Sequence, residues 1–199
     1  MFAKHVILMV LFVNSVFFVL VPTAQAAISL DRTRIVFPGN TQSLTLNVFN
    51  KDQAVPYQAH AWLEDSQGAK LNDKSAFIIM PPEQTIEPRG KAQLRIQAMP
   101  AASKLPQDQE TLFYLNLLEV PPKSGKDNVV QVILQTRIKM FYRPEALTVN
   151  QQMMPFQKEL TLTKNGTSYI SNNSTPYFIT LVTASKKKEG MSRKVLNLF

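Results

Sequence analysis

The segment that decides the fold is Leu112–Tyr142, LFYLNLLEVPPKSGKDNVVQVILQTRIKMFY, in which two apolar runs flank a short polar connection. The first run, Leu112–Val120, is stopped by two prolines, and the second, Val129–Tyr142, is stopped by Arg143 and a further proline. The six residues 123–128 between the runs are polar and include a glycine. Two strands with so short a connection predict a β-hairpin.

In the second strand of this hairpin, apolar residues alternate with mostly polar ones, and this pattern has two interpretations. As a buried strand it belongs to the core, and periodicity alone favours this because an exposed apolar edge invites aggregation. As an apolar edge strand it holds another chain that adds a strand to the sheet. One side carries Val130, Val132, Leu134, Thr136 and Ile138, and the other carries Gln131, Ile133, Gln135, Arg137 and Lys139.

Shorter segments upstream show the same alternation, and each is bounded by Pro, Gly, Asn or Asp. Helical periodicity is not sustained anywhere after the first 26 residues. About seven such strands with one buried face predict an all-β chain whose first domain, residues 27–144, is an immunoglobulin-like β-sandwich. The segments lie at 28–36, 43–48, 58–63 and 94–98.

A second set of apolar segments follows Pro144, around Leu160, Tyr169 and Tyr177. The chain has 55 residues after Pro144, and about twice that number make an ordinary sandwich domain. The sequence therefore predicts that residues 145–199 form an incomplete second β-sandwich, a truncated immunoglobulin-like domain.

The amino terminus has the layout of a secretory signal peptide. Lys4 precedes an uncharged apolar run over 6–21, and a proline and the triplet Ala-Gln-Ala at 24–26 follow. This order predicts a signal peptide over residues 1–26 with cleavage before Ala27. A retained membrane anchor is the alternative, because the run approaches the length that spans a bilayer. Export without any cysteine predicts a fold that depends on its hydrophobic core.

Composition offers little for catalysis or for nucleic-acid binding. The formal net charge is +8, but the basic residues are dispersed except for Lys186–Lys188, and export makes nucleic acid an unsuitable partner. His60 is the one histidine outside the leader, and it lies in a strand without a nearby acid, as a structural histidine does. No metal-ligand cluster, phosphate-binding glycine loop or nucleophile elbow is present. We therefore predict a protein that is not an enzyme, with no catalytic, cofactor or metal site.

The segment Leu105–Pro121, LPQDQETLFYLNLLEVP, closely resembles the signature of the PapD-like periplasmic chaperones of pilus assembly. Ile28–Arg34 is similar to that family's mature amino terminus, and Leu134–Pro144 is similar to the last strand and hinge of its first domain. The short, cysteine-free connection resembles the branch of the family that serves rod-forming pili. The resemblance implies two immunoglobulin-like domains set at an angle, with a subunit-binding cleft between them.

The resemblance also implies roles for particular residues. Arg34 and Lys139 match the basic pair that holds the carboxylate at the subunit's carboxyl terminus. Glu110 and Arg143 match members of an interdomain charge network. Three alternate apolar positions match the side chains that fill the subunit's groove, namely Val130, Val132 and Leu134.

The implied function is that of a periplasmic chaperone. Such a protein binds, folds and caps pilus or fimbrial subunits by donor-strand complementation before delivery to an outer-membrane usher. The implied partners are therefore subunits and usher, with no nucleic acid and no stable membrane insertion after signal cleavage. The alternative is an exported structural or adhesive β-sandwich protein, and an exported enzyme is a distant third.

Overall fold

The computed structural model describes residues 26–125, 128, 130–148 and 155–181. The predicted signal peptide, apart from its last residue, and the basic triplet Lys186–Lys188 lie outside these ranges. Within them the regular structure is strands and three short 3-10 helices. None of the helices in these ranges is long and apolar enough to cross a membrane.

Eleven strands, β1 to β11, are formed by the described residues. The 3-10 helices lie at Pro100–Lys104, Glu145–Leu147 and Phe156–Glu159. The strands are β1 Ile28–Leu30, β2 Arg34–Pro38, β3 Ser43–Asn50, β4 Tyr57–Asp65, β5 Phe77–Met80, β6 Glu83–Ile86, β7 Lys91–Ala98, β8 Thr111–Val120, β9 Leu134–Arg143, β10 Leu160–Asn165 and β11 Ser168–Asn173.

Nine of these strands form a two-layer sandwich. One layer is an antiparallel sheet of four strands in the order β1-β3-β7-β5. The other is a sheet of five strands in the order β2-β9-β8-β4-β6, antiparallel except for the parallel pair β2 and β9. The prediction of an all-β sandwich fold is confirmed.

The core follows from the alternation seen in the sequence. Side chains at every second position of β3, β4 and β7 point between the sheets, where they lose almost all exposure to solvent. An aromatic group closes one part of the core, with Phe77 in contact with Phe37, Phe113 and Tyr142 at ring-centroid distances of 4.9, 5.1 and 5.7 Å. Burial of this apolar surface stabilises a chain that has no disulfide.

The hairpin of β8 and β9 forms as predicted, but its second strand begins later than the sequence indicates. The predicted strand is absent over the described residues 130–133, because β9 begins at Leu134 and the last pair of the ladder is Glu119 with Leu134; the predicted start, Val129, lies outside the described residues. The partner strand ends at Val120, and the prolines that follow have no backbone N–H to donate. The apolar residues before Leu134 therefore lack a partner strand.

Beyond the sandwich, β10 and β11 pair as a separate antiparallel hairpin. Its turn places Gly166 at a φ of +59°, a conformation that favours glycine. Leu162, Tyr169 and Ile170 are all more than half exposed. These strands lie within the predicted second domain, residues 145–199, much of which falls outside the described ranges.

Candidate functional site

One half of β9 has an unpaired backbone edge. Strand β2 pairs only with the second half of β9, residues 139–143. The first half, Leu134–Ile138, pairs with β8 on one side, and no strand of the described chain pairs with its other side. The backbone donors and acceptors along that side are a template on which another strand can form.

Exposed apolar side chains lead into this edge. The exposed fractions are 90% for Val130, 67% for Val132, 53% for Ile133 and 42% for Leu134. The core interpretation, which periodicity alone favours, is therefore wrong for these residues. Exposed apolar side chains next to unpaired backbone are typical of a surface that another chain covers.

The two cations singled out in the sequence come together where the free edge ends. Arg34 and Lys139 are the first pair of the parallel ladder between β2 and β9. Paired residues in a sheet project from the same face, and both of these side chains are exposed. No acidic partner for either occurs among the described residues. Two neighbouring cations without an acid favour binding of an anion such as a carboxylate.

A polar network on the same outer face was not predicted from the sequence. Arg137 donates from Nε and Nη2 to Oε2 of Glu64, at 3.1 and 2.9 Å, and its guanidinium lies 3.6 Å from the ring centroid of Tyr114. Trp62 donates to Oε1 of Glu64 at 2.9 Å. The sequence carries no signal for this network, because Glu64 and Arg137 are 73 residues apart and meet only through the pairing of β4, β8 and β9.

Burial alone would raise the pKa of Glu64. Hydrogen bonding by neighbouring polar side chains, that of Trp62 first, together with the positive charge of Arg137, outweighs burial and holds the pKa of Glu64 below its ordinary value. The carboxylate is therefore ionised at neutral pH, and it forms a true ion pair with Arg137 at 2.9 Å.

Glu110 and Arg143, the pair assigned to an interdomain network, are in direct contact. Arg143 Nε donates to Glu110 Oε1 at 2.8 Å, and the two side chains are 13% and 2% exposed. The other carboxylate oxygen of Glu110 accepts from the backbone N–H of Phe178 at 2.7 Å. The backbone N–H of Glu110 donates to the carbonyl of Pro176 at 2.9 Å. Glu110 thus joins the sandwich to residues 176–178.

Aromatic side chains support the same junction. Phe178 stacks on Phe141 of β9 with ring centroids 5.4 Å apart, and Tyr177 stacks on Phe156 at 4.3 Å. The Tyr177 hydroxyl donates to the carbonyl of Leu147 at 2.9 Å. The segment Tyr177–Phe178 is therefore packed against the end of β9.

His60 is half-buried, and its Nδ1 lies 3.3 Å from Glu83 Oε1. The sequence-based interpretation that it has no nearby acid is wrong, because the pairing of β4 with β6 places Glu83 opposite it. The described part of the chain contains no group of three or more His, Cys, Asp or Glu residues that could hold a metal ion.

Comparison with known proteins points to one family. The model for the N-terminal domain of PapD, a pili and flagellar-assembly chaperone, matches residues 27–148. The chaperone protein PapD of Escherichia coli is 45% identical over 159 residues, which cover 80% of this chain and 66% of PapD. The chaperone protein PmfD of Proteus mirabilis is 41% identical over 180 residues, which cover 90% of this chain and 70% of PmfD.

A solved structure agrees with these relatives. The crystal structure of the periplasmic chaperone SfaE superposes with a TM-score of 0.62 at 30% identity and covers 75% of this chain and 72% of SfaE. The chain spans about two thirds of the length of the curated relatives named above. The chain belongs to the PapD-like family of periplasmic pilus-assembly chaperones.

Proposed function

We propose that this protein is a periplasmic chaperone that binds and caps pilus or fimbrial subunits by lending them the segment Val130–Ile138. The observation that carries the proposal is an unpaired strand edge, preceded by exposed apolar side chains and ending at the basic pair Arg34 and Lys139. The apolar side chains, the unpaired backbone and the basic pair thus follow one another from Val130 to Lys139.

Each feature has a separate physical task. The unpaired backbone of Leu134–Ile138 supplies hydrogen bonds to a strand of the subunit. Val130, Val132 and Leu134 enter a groove in the incomplete subunit, and burial contributes about 1.5–3 kcal/mol for each side chain before the costs of association. Arg34 and Lys139 hold the carboxylate at the subunit's carboxyl terminus through charge-assisted hydrogen bonds. The carboxylate fixes the position of the bound strand, and the apolar side chains provide most of the affinity.

The remaining parts of the proposal concern export and delivery. Residues 1–26 are a signal peptide removed before Ala27, so that the chaperone acts in the periplasm and hands its subunit to an outer-membrane usher. Residues 27–144 form the subunit-binding domain, and residues 145–199 belong to a second immunoglobulin-like domain that contains β10 and β11. The junction at Glu110 and Arg143 sets the angle between the two domains. The protein performs no chemical step and needs no cofactor.

Periplasmic co-expression with a subunit of the same fimbrial system, followed by pull-down, tests the proposal. We expect Arg34→Ala with Lys139→Ala, and separately Val132→Asp, to reduce the recovered subunit at least tenfold. Ile133→Asp is the matched control, since it places the same charge on a neighbouring exposed side chain that belongs to the other set in the sequence alternation. Equal recovery with wild type and both test variants would refute the proposal.

A further inference from the structure

Three cations project from the outer face beside the edge of β9, but one of them is already neutralised. Arg137 lies two residues before Lys139 on the same strand, so their Cα atoms are separated by about 7 Å. Arg34 is paired with Lys139 on β2. Of these three, Arg137 alone has an acidic partner among the described residues, namely Glu64.

The spacing of two residues has a consequence for an added strand. Side chains alternate with a period of two, so a slip of one residue would turn every apolar side chain of the strand to the wrong face. A slip of two residues keeps the correct side chains facing the subunit. Alternation at Val130, Val132 and Leu134 therefore cannot distinguish two registers that differ by two residues. The position of the cation that holds the carboxylate can make that distinction.

The contacts of Arg137 hold its guanidinium away from the free edge of β9. Its guanidinium lies over Tyr114 of β8 and reaches Glu64 of β4, which is the direction away from β2. The Glu64 side chain is only 16% exposed and is itself held by the indole N–H of Trp62. The acid is thus fixed in place, and it occupies the Nε and Nη2 edge of the guanidinium, one of the edges that can bind a carboxylate.

We propose that Glu64 is a specificity-determining residue that fixes the register of the bound subunit by neutralising Arg137. With Arg137 occupied, the pair Arg34 and Lys139 is the anion site along this edge, and the carboxylate of the subunit binds there. Without Glu64, Arg137 becomes a second anchor two residues away. This inference rests on the proposed function.

A rescue experiment tests the proposal in a way that a purely structural role for Glu64 cannot imitate. We measure the affinity of the full chain for a purified subunit by titration calorimetry. Arg34→Ala with Lys139→Ala removes the normal anchor and weakens binding. Adding Glu64→Gln to that double variant frees Arg137, and we expect at least a tenfold recovery of affinity. Adding Arg137→Gln as well should abolish the recovery.

The matched control is Glu83→Gln in the same double variant. Glu83 is another acid of the five-stranded sheet, but its ion-pair partner is His60 and it does not contact Arg137. The same chemical change there should give no recovery. Recovery with Glu83→Gln, or recovery that persists with Arg137→Gln, would overturn the proposal, because the effect would then be one of net charge.

Crosslinking measures the register directly. The chain has no cysteine, so Thr136→Cys introduces a single thiol on the free edge of β9. Single cysteines placed along the carboxyl-terminal strand of the subunit then report which position lies opposite. We expect the crosslinked position to move by two residues when Glu64→Gln rescues the anchor-less variant.

The outcomes separate this proposal from the proposed function. If the wild type binds through Arg34 and Lys139 but Glu64→Gln does not restore binding to the double variant, only the proposed role of Glu64 is overturned. An unchanged crosslink position in the rescued variant would do the same. Wild type that binds no subunit would overturn both proposals together.

Discussion

Removal of the Glu110 carboxylate should destabilise the protein more than any exposed charge does. The carboxylate accepts hydrogen bonds of 2.8 Å from Arg143 and 2.7 Å from the backbone of Phe178, and its side chain is 2% exposed. Removing one partner of such a buried pair leaves the other charge unpaired and costs about 3–5 kcal/mol. Ordinary domains are stable by about 5–15 kcal/mol, so we expect Glu110→Ala to remove a large fraction of the free energy of unfolding.

Urea unfolding of wild type, Glu110→Ala, Arg143→Met and the double variant measures this cost. We expect the double variant to lose less free energy of unfolding than the sum of the single variants, because neither charge is then left unpaired. Hydrogen exchange of the Phe178 amide should accelerate in Glu110→Ala, since its acceptor is lost.

Arg32→Ala is the control for this experiment. Its side chain is 37% exposed and pairs with Asp31 at 2.8 Å, and an exposed pair contributes about 0–1 kcal/mol. If Glu110→Ala costs no more than Arg32→Ala, and Phe178 exchanges at the wild-type rate, the junction at Glu110 is not structural and our account of it is wrong.

Three further predictions concern the sandwich itself. Phe37→Ala removes a fully buried ring and should lower the free energy of unfolding by about 3–5 kcal/mol in urea; a cost below 1 kcal/mol would contradict its place in the core. Asn50 is 2% exposed and makes three hydrogen bonds to backbone groups, so Asn50→Ala should cost about 1–3 kcal/mol, and an unchanged melting temperature would argue against those bonds. The hydrogen bond from Arg32, against the opposing effect of burial and with help from Asn47, lowers the pKa of Asp31 from 3.8 to about 2. The ionised Asp31 thus stabilises the fold above about pH 4 and loses that effect as the pH falls toward 2, so melting curves of Asp31→Asn should show lower stability at pH 7 and a smaller loss on acidification; equal losses would refute the assignment.

Many of the strands can be predicted from local sequence patterns. Alternation along Leu94–Ala98 and Leu112–Val120 predicts strands that the structure contains, because one buried face imposes a period of two. The start of β9 could not be predicted in this way. Alternation indicates which side chains lie on the same face of a strand. Where a strand begins also depends on the strand that pairs with it, and β8, the neighbour of this part of β9, ends at Val120 before two prolines.

The candidate site depends even more on long-range pairing. Arg34 and Lys139 are far apart in sequence and become neighbours through the parallel pairing of β2 with β9. Their selection came from the family resemblance, because a lone strand cation has no local signal of function. Glu64 was missed for the same reason, since its contact with Arg137 requires the order of three strands. The acid beside His60 was missed because it lies on a different strand.

The central claim is that Arg34 and Lys139 bind the carboxylate of a subunit whose strand lies along the edge of β9. The most direct test is calorimetric titration of the full chain with a subunit that ends in a free carboxylate, and with the same subunit ending in an amide. We predict that amidation weakens binding to wild type at least tenfold and does not change binding to the variant Arg34→Ala with Lys139→Ala. Equal affinity of wild type for the two forms would contradict the claim.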